Sequence, residues 1–274
     1  MRFRIPNTVI IAATLLLGSC DKDDSAPATG ALTHTPLFLL DRIEYKSVPA
    51  TAAYTYNADS TVKQIVHAAA GSGAEINYTY QNKMLTRTAV PGSLYITDYT
   101  YANGYLTTVI SSQLGQGIVG YKLVYTYASN GLLSEMRHFK IDEAGDHLQY
   151  LHLYQYNIDG LPAKITSVST NVTFTTTISS YSEECDFEPS SFVNSSGLDE
   201  LYAIYNYPVL SRLTKLPKKI TVVRTEGQQA PVTERVHDAD FTITNKKLEK
   251  IKPTISYPSY PQYNVSDEWS FYYK

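Results

Sequence analysis

Tyr257, Tyr260, Tyr263 and Trp269, close to the C-terminus, are the residues whose type and spacing best suit a recognition task. Pro258 and Pro261 interrupt the three tyrosines, and proline is kept out of central strands because it cannot donate to a ladder. The stretch therefore reads as an exposed loop on a stiffened backbone, where rings can stack on sugars or on a partner protein. These four residues are the candidate ligand-binding set. The same residues also fit a closing strand and loop that plug the end of a sheet.

Nothing else assembles into a reaction centre. Of the six histidines (His34, His67, His138, His147, His152, His237) only His147 and His152 are close in sequence. Their odd spacing sends them to opposite faces of a strand, against a shared metal. Asp142-Glu-Ala-Gly-Asp146 lacks the alternate-oxygen spacing of a calcium loop and reads as a polar hairpin turn. The acidic run Glu183, Glu184, Asp186 and Glu188 reads as a solvated loop. Cys185 has no neighbouring histidine to activate it, so a buried, inert thiol is expected. Nucleophile-elbow, phosphate-loop and His-Glu-x-x-His patterns are absent from the sequence. The reading is a non-enzyme with no catalytic residue, metal or cofactor. A formal charge of −3, becoming −5 once Arg2 and Arg4 leave with a cleaved leader, gives no electrostatic reason to bind nucleic acid.

The elements that must position the aromatic tail are written as a repeat. Tyr54-Thr-Tyr56, Tyr78-Thr-Tyr80, Tyr99-Thr-Tyr101, Tyr125-Thr-Tyr127 and Tyr154-Gln-Tyr156 are five copies, each followed by a turn and a Leu- or Val-led return. In a strand both tyrosines of a pair share one face and the intervening Thr or Gln takes the other. Asp59-Ser60, Asn82-Lys83, Asn103-Gly104, Asn130-Gly131 and Asp159-Gly160 supply the positive φ of tight hairpins. The connection is one residue shorter after Tyr80 and Tyr101 than in the other copies, which predicts two turn types.

The return strands read as apolar on both faces, Leu132 and Met136 on one and Leu133 on the other, less cleanly alternating than a sheet covered on one side only, so the sheet is expected to curl on itself or to be partly covered by the C-terminal third. Past Ser167 the repeat decays. A Thr-rich strand spans 172–178, a long loop follows, a short helical turn lies at 198–202, and strands resume at 218–224, 232–244, 248–255 and 269–273. Leu216-Pro-Lys-Lys-Ile220 echoes Leu161-Pro-Ala-Lys-Ile165, so the end of the chain reads as diverged repeats. The fold expected is all-β, an antiparallel β-meander of repeated hairpins forming a large curled or partly closed sheet, with 36–274 as one domain.

Residues 1–19 carry Arg2 and Arg4, an apolar run over 9–17 and then Leu17-Gly-Ser-Cys20, the layout of a secretory leader too short to remain as a membrane span. Leu17-Gly-Ser-Cys20 resembles a bacterial lipobox. The resemblance implies lipidation of Cys20 and a membrane partner reached through that anchor, several acyl chains making a stable one. Asp21-Lys-Asp-Asp24 resembles the export signal of surface lipoproteins of the Bacteroides group. It implies an outer-membrane protein at the cell surface, the periplasmic face being the alternative. Residues 20–35 read as a lipidated disordered tether. The tyrosine pair, turn and Gly-Leu return resemble the YD (RHS-type) repeat and, with the lipobox, an uncharacterised Bacteroides lipoprotein family. The YD pattern's Asp is replaced by Asn57, Gln81, Ala102, Ala128 and Asn157, so a large cargo shell is not implied. The expected function is a non-catalytic binding module for glycan or protein; the alternative is a structural or assembly lipoprotein of the envelope with no small-molecule ligand.

Overall fold

The computed structural model describes residues 36–47, 49–69, 72–113, 120–193 and 200–274. The leader, Cys20 and the tether lie outside the described residues. Strands β1 (Leu40–Tyr45), β2 (Ala50–Tyr56), β3 (Val62–Ala69), β4 (Ser72–Gln81), β5 (Met84–Ala89), β6 (Tyr95–Ala102), β7 (Tyr105–Gln113), β8 (Gly120–Tyr127) and β9 (Leu133–Asp142) follow one another as a meander. It continues through β10 (Gly145–Tyr156), β11 (Pro162–Val168), β12 (Val172–Tyr181), β13 (Pro217–Glu226), β14 (Val232–Thr244), β15 (Lys247–Ser256), the short β16 (Val265–Ser266) and β17 (Trp269–Tyr273). From β1 to β16 each strand pairs antiparallel with the next, β17 pairs with both β15 and β1, and the result is a closed barrel of 16 strands with β16 as a side piece on β15. The sheet expected to be curled or partly closed is closed.

The tyrosine pairs behave as their spacing dictates. Tyr54, Tyr125 and Tyr154 are buried and their partners pack against the same core, while Thr55, Thr79, Thr100, Thr126 and Gln155 between them are exposed. In every copy the register slips just before the second tyrosine, which faces Val62, Leu85, Leu106, Leu133 or Pro162 across the hairpin. The slip is a β-bulge, one extra residue on the return strand. It inverts the alternation after Leu133, so Leu133 and Met136 point inward together, as do Leu106 and Val109. The two-faced apolar pattern expected from strict alternation is thus corrected to one apolar face, turned to the lumen.

In two of the five copies the second tyrosine also ties neighbouring hairpins together, and Tyr181 and Tyr273 do the same at the equivalent register. Tyr127 Oη donates to the Leu106 carbonyl at 2.8 Å, Tyr156 to Leu133 at 2.8 Å, Tyr273 to Leu248 at 2.6 Å, and Tyr181 to Pro162. Each acceptor is the carbonyl at the bulge of the preceding hairpin. The same register recurs in β12–β13 and β14–β15, and again where β17 meets β1, Tyr273 facing Leu40. The ring is therefore eight hairpins, the eighth formed by the two ends of the described chain. Turns come in the two lengths expected: Asn82-Lys83, Asn103-Gly104 and Asn245-Lys246 have positive φ at both positions, whereas Ser60, Gly131 and Gly160 are single left-handed residues closing longer turns.

In the sixth hairpin, the described residues 182–193 and 200–216 lie between β12 and β13 and fold into the lumen. They form the 3₁₀ turns Pro189–Ser191 and Glu200–Ala203 and helix α1 (Tyr207–Leu210), and Phe187, Leu201, Tyr202, Ile204 and Leu210 among them are buried. They touch the wall on several sides: Tyr54 Oη to Ser191 Oγ at 3.0 Å, Tyr154 Oη to the Ala203 carbonyl at 2.8 Å, Tyr99 against Tyr207, and Phe271 stacked on Phe192. Asn206, fully buried, caps α1 through the Val209 amide and donates to the Tyr202 and Ala203 carbonyls and to Tyr154 Oη. The segment read from sequence as a long loop with a short helical turn is the core plug.

The outer face carries charge along the strands: Arg87–Asp98 at 2.6 Å, Arg137–Glu135 at 2.7 Å, Lys250–Glu268 at 3.0 Å and Lys219–Asp238 at 4.0 Å. Apolar and aromatic side chains fill the inside.

Candidate aromatic groove

The repeat turns and residues 36–39 lie at one end of the barrel, because Leu40 pairs with Tyr273 and the Lys274 amide donates to the Leu39 carbonyl. β15 starts at that end and delivers residues 257–264 to the other. β13 and β14 also meet there in a hairpin whose turn uses Gly227 at φ +53°. The tail loop and this hairpin tip enclose a groove of about 220 Å³ lined by Arg224, Glu226, Gln229, Glu234, Ser259 and Tyr260, with Ala230 and Val232.

The loop is pinned although exposed. The Tyr257 amide donates to Asn264 Oδ1 at 2.8 Å, the Tyr260 amide to the Tyr257 carbonyl at 2.9 Å, and the Tyr263 amide to the Tyr260 carbonyl at 3.0 Å. Tyr260 and Tyr263 are 58% and 63% exposed, with ring centroids 6.2 Å apart. Across the groove Arg224 Nη2 donates to Glu226 Oε2 at 2.7 Å, which orients a carboxylate beside the ring. A ring face flanked by carboxylates, an amide and a guanidinium can stack on an apolar sugar face while the polar groups take its hydroxyls.

The four residues singled out in the sequence do not form one surface. Tyr260 and Tyr263 stand at the rim and Tyr257 is half-buried beneath them. Trp269 points inward from β17, its ring 5.5 Å from that of Tyr45 and its Nε1 donating to Asp267 Oδ2 at 2.8 Å. Trp269 thus belongs to the closing strand and faces the plug. Arg224, Glu226, Gln229 and Glu234 escaped the sequence reading, since only ring closure carries the β13–β14 tip to the tail loop.

The other chemistry-bearing residues are accounted for. His147 is half exposed and sits 3.0 Å from Asp142, whose carboxylate accepts the Ala144 amide in a polar hairpin turn. His152 is buried with Nδ1 2.7 Å from Ser167 Oγ. Glu184 pairs with Lys246 at 2.9 Å, Asp186 accepts the Phe38 amide and Glu188 caps a 3₁₀ turn, so the acidic run is dispersed. Among the described residues no three His, Cys, Asp or Glu side chains gather as a metal site. Cys185 is buried, and that burial raises its thiol pKa.

No protein-family model matches the chain, and no curated protein matches it significantly in sequence. Solved structures do share its fold. A porin-like protein from Bacteroides vulgatus ATCC 8482 superimposes with a TM-score of 0.59 at 11% identity, over 86% of this chain and 99% of that one. A porin-like protein from Bacteroides uniformis ATCC 8492 gives 0.57 at 13% identity, over 86% and 98%.

Proposed function

We propose that this protein is an outer-membrane lipoprotein, anchored through Cys20 and displayed at the cell surface, whose barrel is a non-catalytic module that binds glycan at the Tyr260 groove. The observation that carries this reading is polarity along the barrel. The tether joins at the end where Leu39 and Lys274 meet, and the groove opens at the opposite end, so an anchored molecule holds the groove away from the bilayer. The outer face supports an anchor over a span. A membrane barrel needs an apolar outward band and a polar lumen, and this one has charged pairs outside and a tyrosine-rich, plugged inside. The likeness to porin-like Bacteroides folds fits the envelope location.

Affinity electrophoresis of the Cys20→Ala chain against a polysaccharide panel tests this. One glycan should retard migration, and Tyr260→Ala should abolish the retardation. Uniform migration across the panel would sink it. The alternative, docking on an envelope protein, loses its edge-pairing route because the ring leaves no long open strand edge among the described residues. It retains one supporting observation, the exposed Leu148, Leu153 and Val168 on the outer face of β10 and β11. Crosslinks from that face on intact cells, lost in Leu153→Ser, would favour it.

A further inference from the structure

The seam between β15 and β17 is the most weakly laced in the ring. Only Lys250–Ser270 and Ile251–Trp269 pair across it, the fewest between any neighbours that close the barrel. Beyond them β16 intervenes through Thr254–Ser266 and Ile255–Val265, and Pro253 contributes no amide. Directly behind this seam lies a cavity of about 350 Å³ between plug and wall. Phe192 and Leu201 close it on the plug side, Phe241, Ile251, Val265 and Trp269 on the wall side. Val265, 53% exposed, forms its outer lip under the tail loop.

We propose that this cavity is a binding site for a small, neutral, apolar molecule of about two to three rings, entering through the seam between β15 and β17. Its volume falls at the lower end of small-ligand pockets, about 300–1,000 Å³. Shape and chemistry narrow the class further. Flat walls come from Phe192, 6.4 Å from Trp269, and from Phe241. The charge in the lining is Asp267, whose carboxylate is already held by the Ser47 and Glu268 amides and by Trp269 Nε1. It repels an anion, and both of its oxygens already accept hydrogen bonds from the protein. A neutral ring system pays no charge-desolvation cost there. This inference is independent of glycan binding at Tyr260, which lies on the far side of the tail loop.

Trp269 is the sole tryptophan of the chain, so its emission reports this cavity alone. The test titrates the Cys20→Ala protein with N-phenyl-1-naphthylamine and with its sulfonated relative 8-anilinonaphthalene-1-sulfonate. The neutral probe should quench Trp269 by energy transfer and shield it from acrylamide, and the sulfonate should bind about tenfold or more weakly. Ala239→Phe, which fills the cavity floor, should weaken the neutral probe by about tenfold or more, while Tyr260→Ala and Leu153→Ser leave it unchanged. Equal binding of both probes overturns the proposal, as does loss in Leu153→Ser or a bound probe that leaves Trp269 emission untouched. The last readout needs only the unsubstituted interior, so a poorly folding Ala239→Phe does not rescue the idea.

Discussion

His138 and His152 show how far a residue's surroundings decide its chemistry. Both lie inside the barrel, His138 between Tyr121, Tyr150 and Tyr202, His152 on Ser167. Burial pushes them down to about 4 and about 3. In the unfolded chain both titrate near about 6.5. Between these values the unfolded state takes up protons that the native state refuses, so stability is full above about pH 6.5 and falls as pH drops. At about 1.4 kcal/mol per unit per group, each histidine costs about 2 kcal/mol by pH 5. The urea midpoint should therefore fall between pH 7 and pH 5, a window above most carboxylate titrations, and the fall should largely vanish in His138→Leu/His152→Leu. An undiminished fall in that double variant would assign the effect to other groups.

At the level of elements, the tyrosine pair divides its labour. The first ring meets the plug at Tyr54, Tyr99 and Tyr154, and the second, at Tyr127 and Tyr156, donates to a bulge carbonyl of the preceding hairpin. Tyr127→Phe keeps the ring and removes the donor, and it should cost about 1 kcal/mol in chemical denaturation. Tyr272→Phe, on the exposed face of β17, should cost less because its partner Glu44 remains hydrated. Equal costs would mean that the bulge bond contributes nothing special. The turn types were legible because Asn-Gly and Asn-Lys state their φ requirements locally. The bulges were not: Leu133-Ser-Glu-Met136 carries no sign that Ser134 is the extra residue, and alternation counted through it sends Leu133 and Met136 apart. The plug was equally hidden. Its sequence has no strand or helix period, and the apolar side chains of 182–193 and 201–216 are buried only because eight hairpins close around them.

For the whole molecule, the decisive feature is which side of the wall is apolar. Ring closure was left open by the sequence because β1 and β17 stand at opposite ends of the domain and neither announces its partner; Tyr273 facing Leu40 is an eighth copy split across the chain. The candidate groove was half legible for the same reason, its tyrosines readable in the tail and its carboxylates supplied by a hairpin tip that only closure brings near. Sixteen strands are enough to enclose an aqueous channel when the lumen is polar. Here the lumen holds Tyr202, Ile204 and Leu210 of the plug, secured by Asn206, and Arg87, Asp98, Glu135 and Arg137 lie on the outer wall. Placing such a wall in hydrocarbon would expose charged side chains at a cost of about 2–4 kcal/mol for each Arg or Lys at the midplane. The Cys20→Ala chain should accordingly remain soluble without detergent and produce no conductance steps when added to planar bilayers. Conductance that survives purification and disappears on deleting the plug would reverse the assignment of inside and outside on which the anchored reading rests.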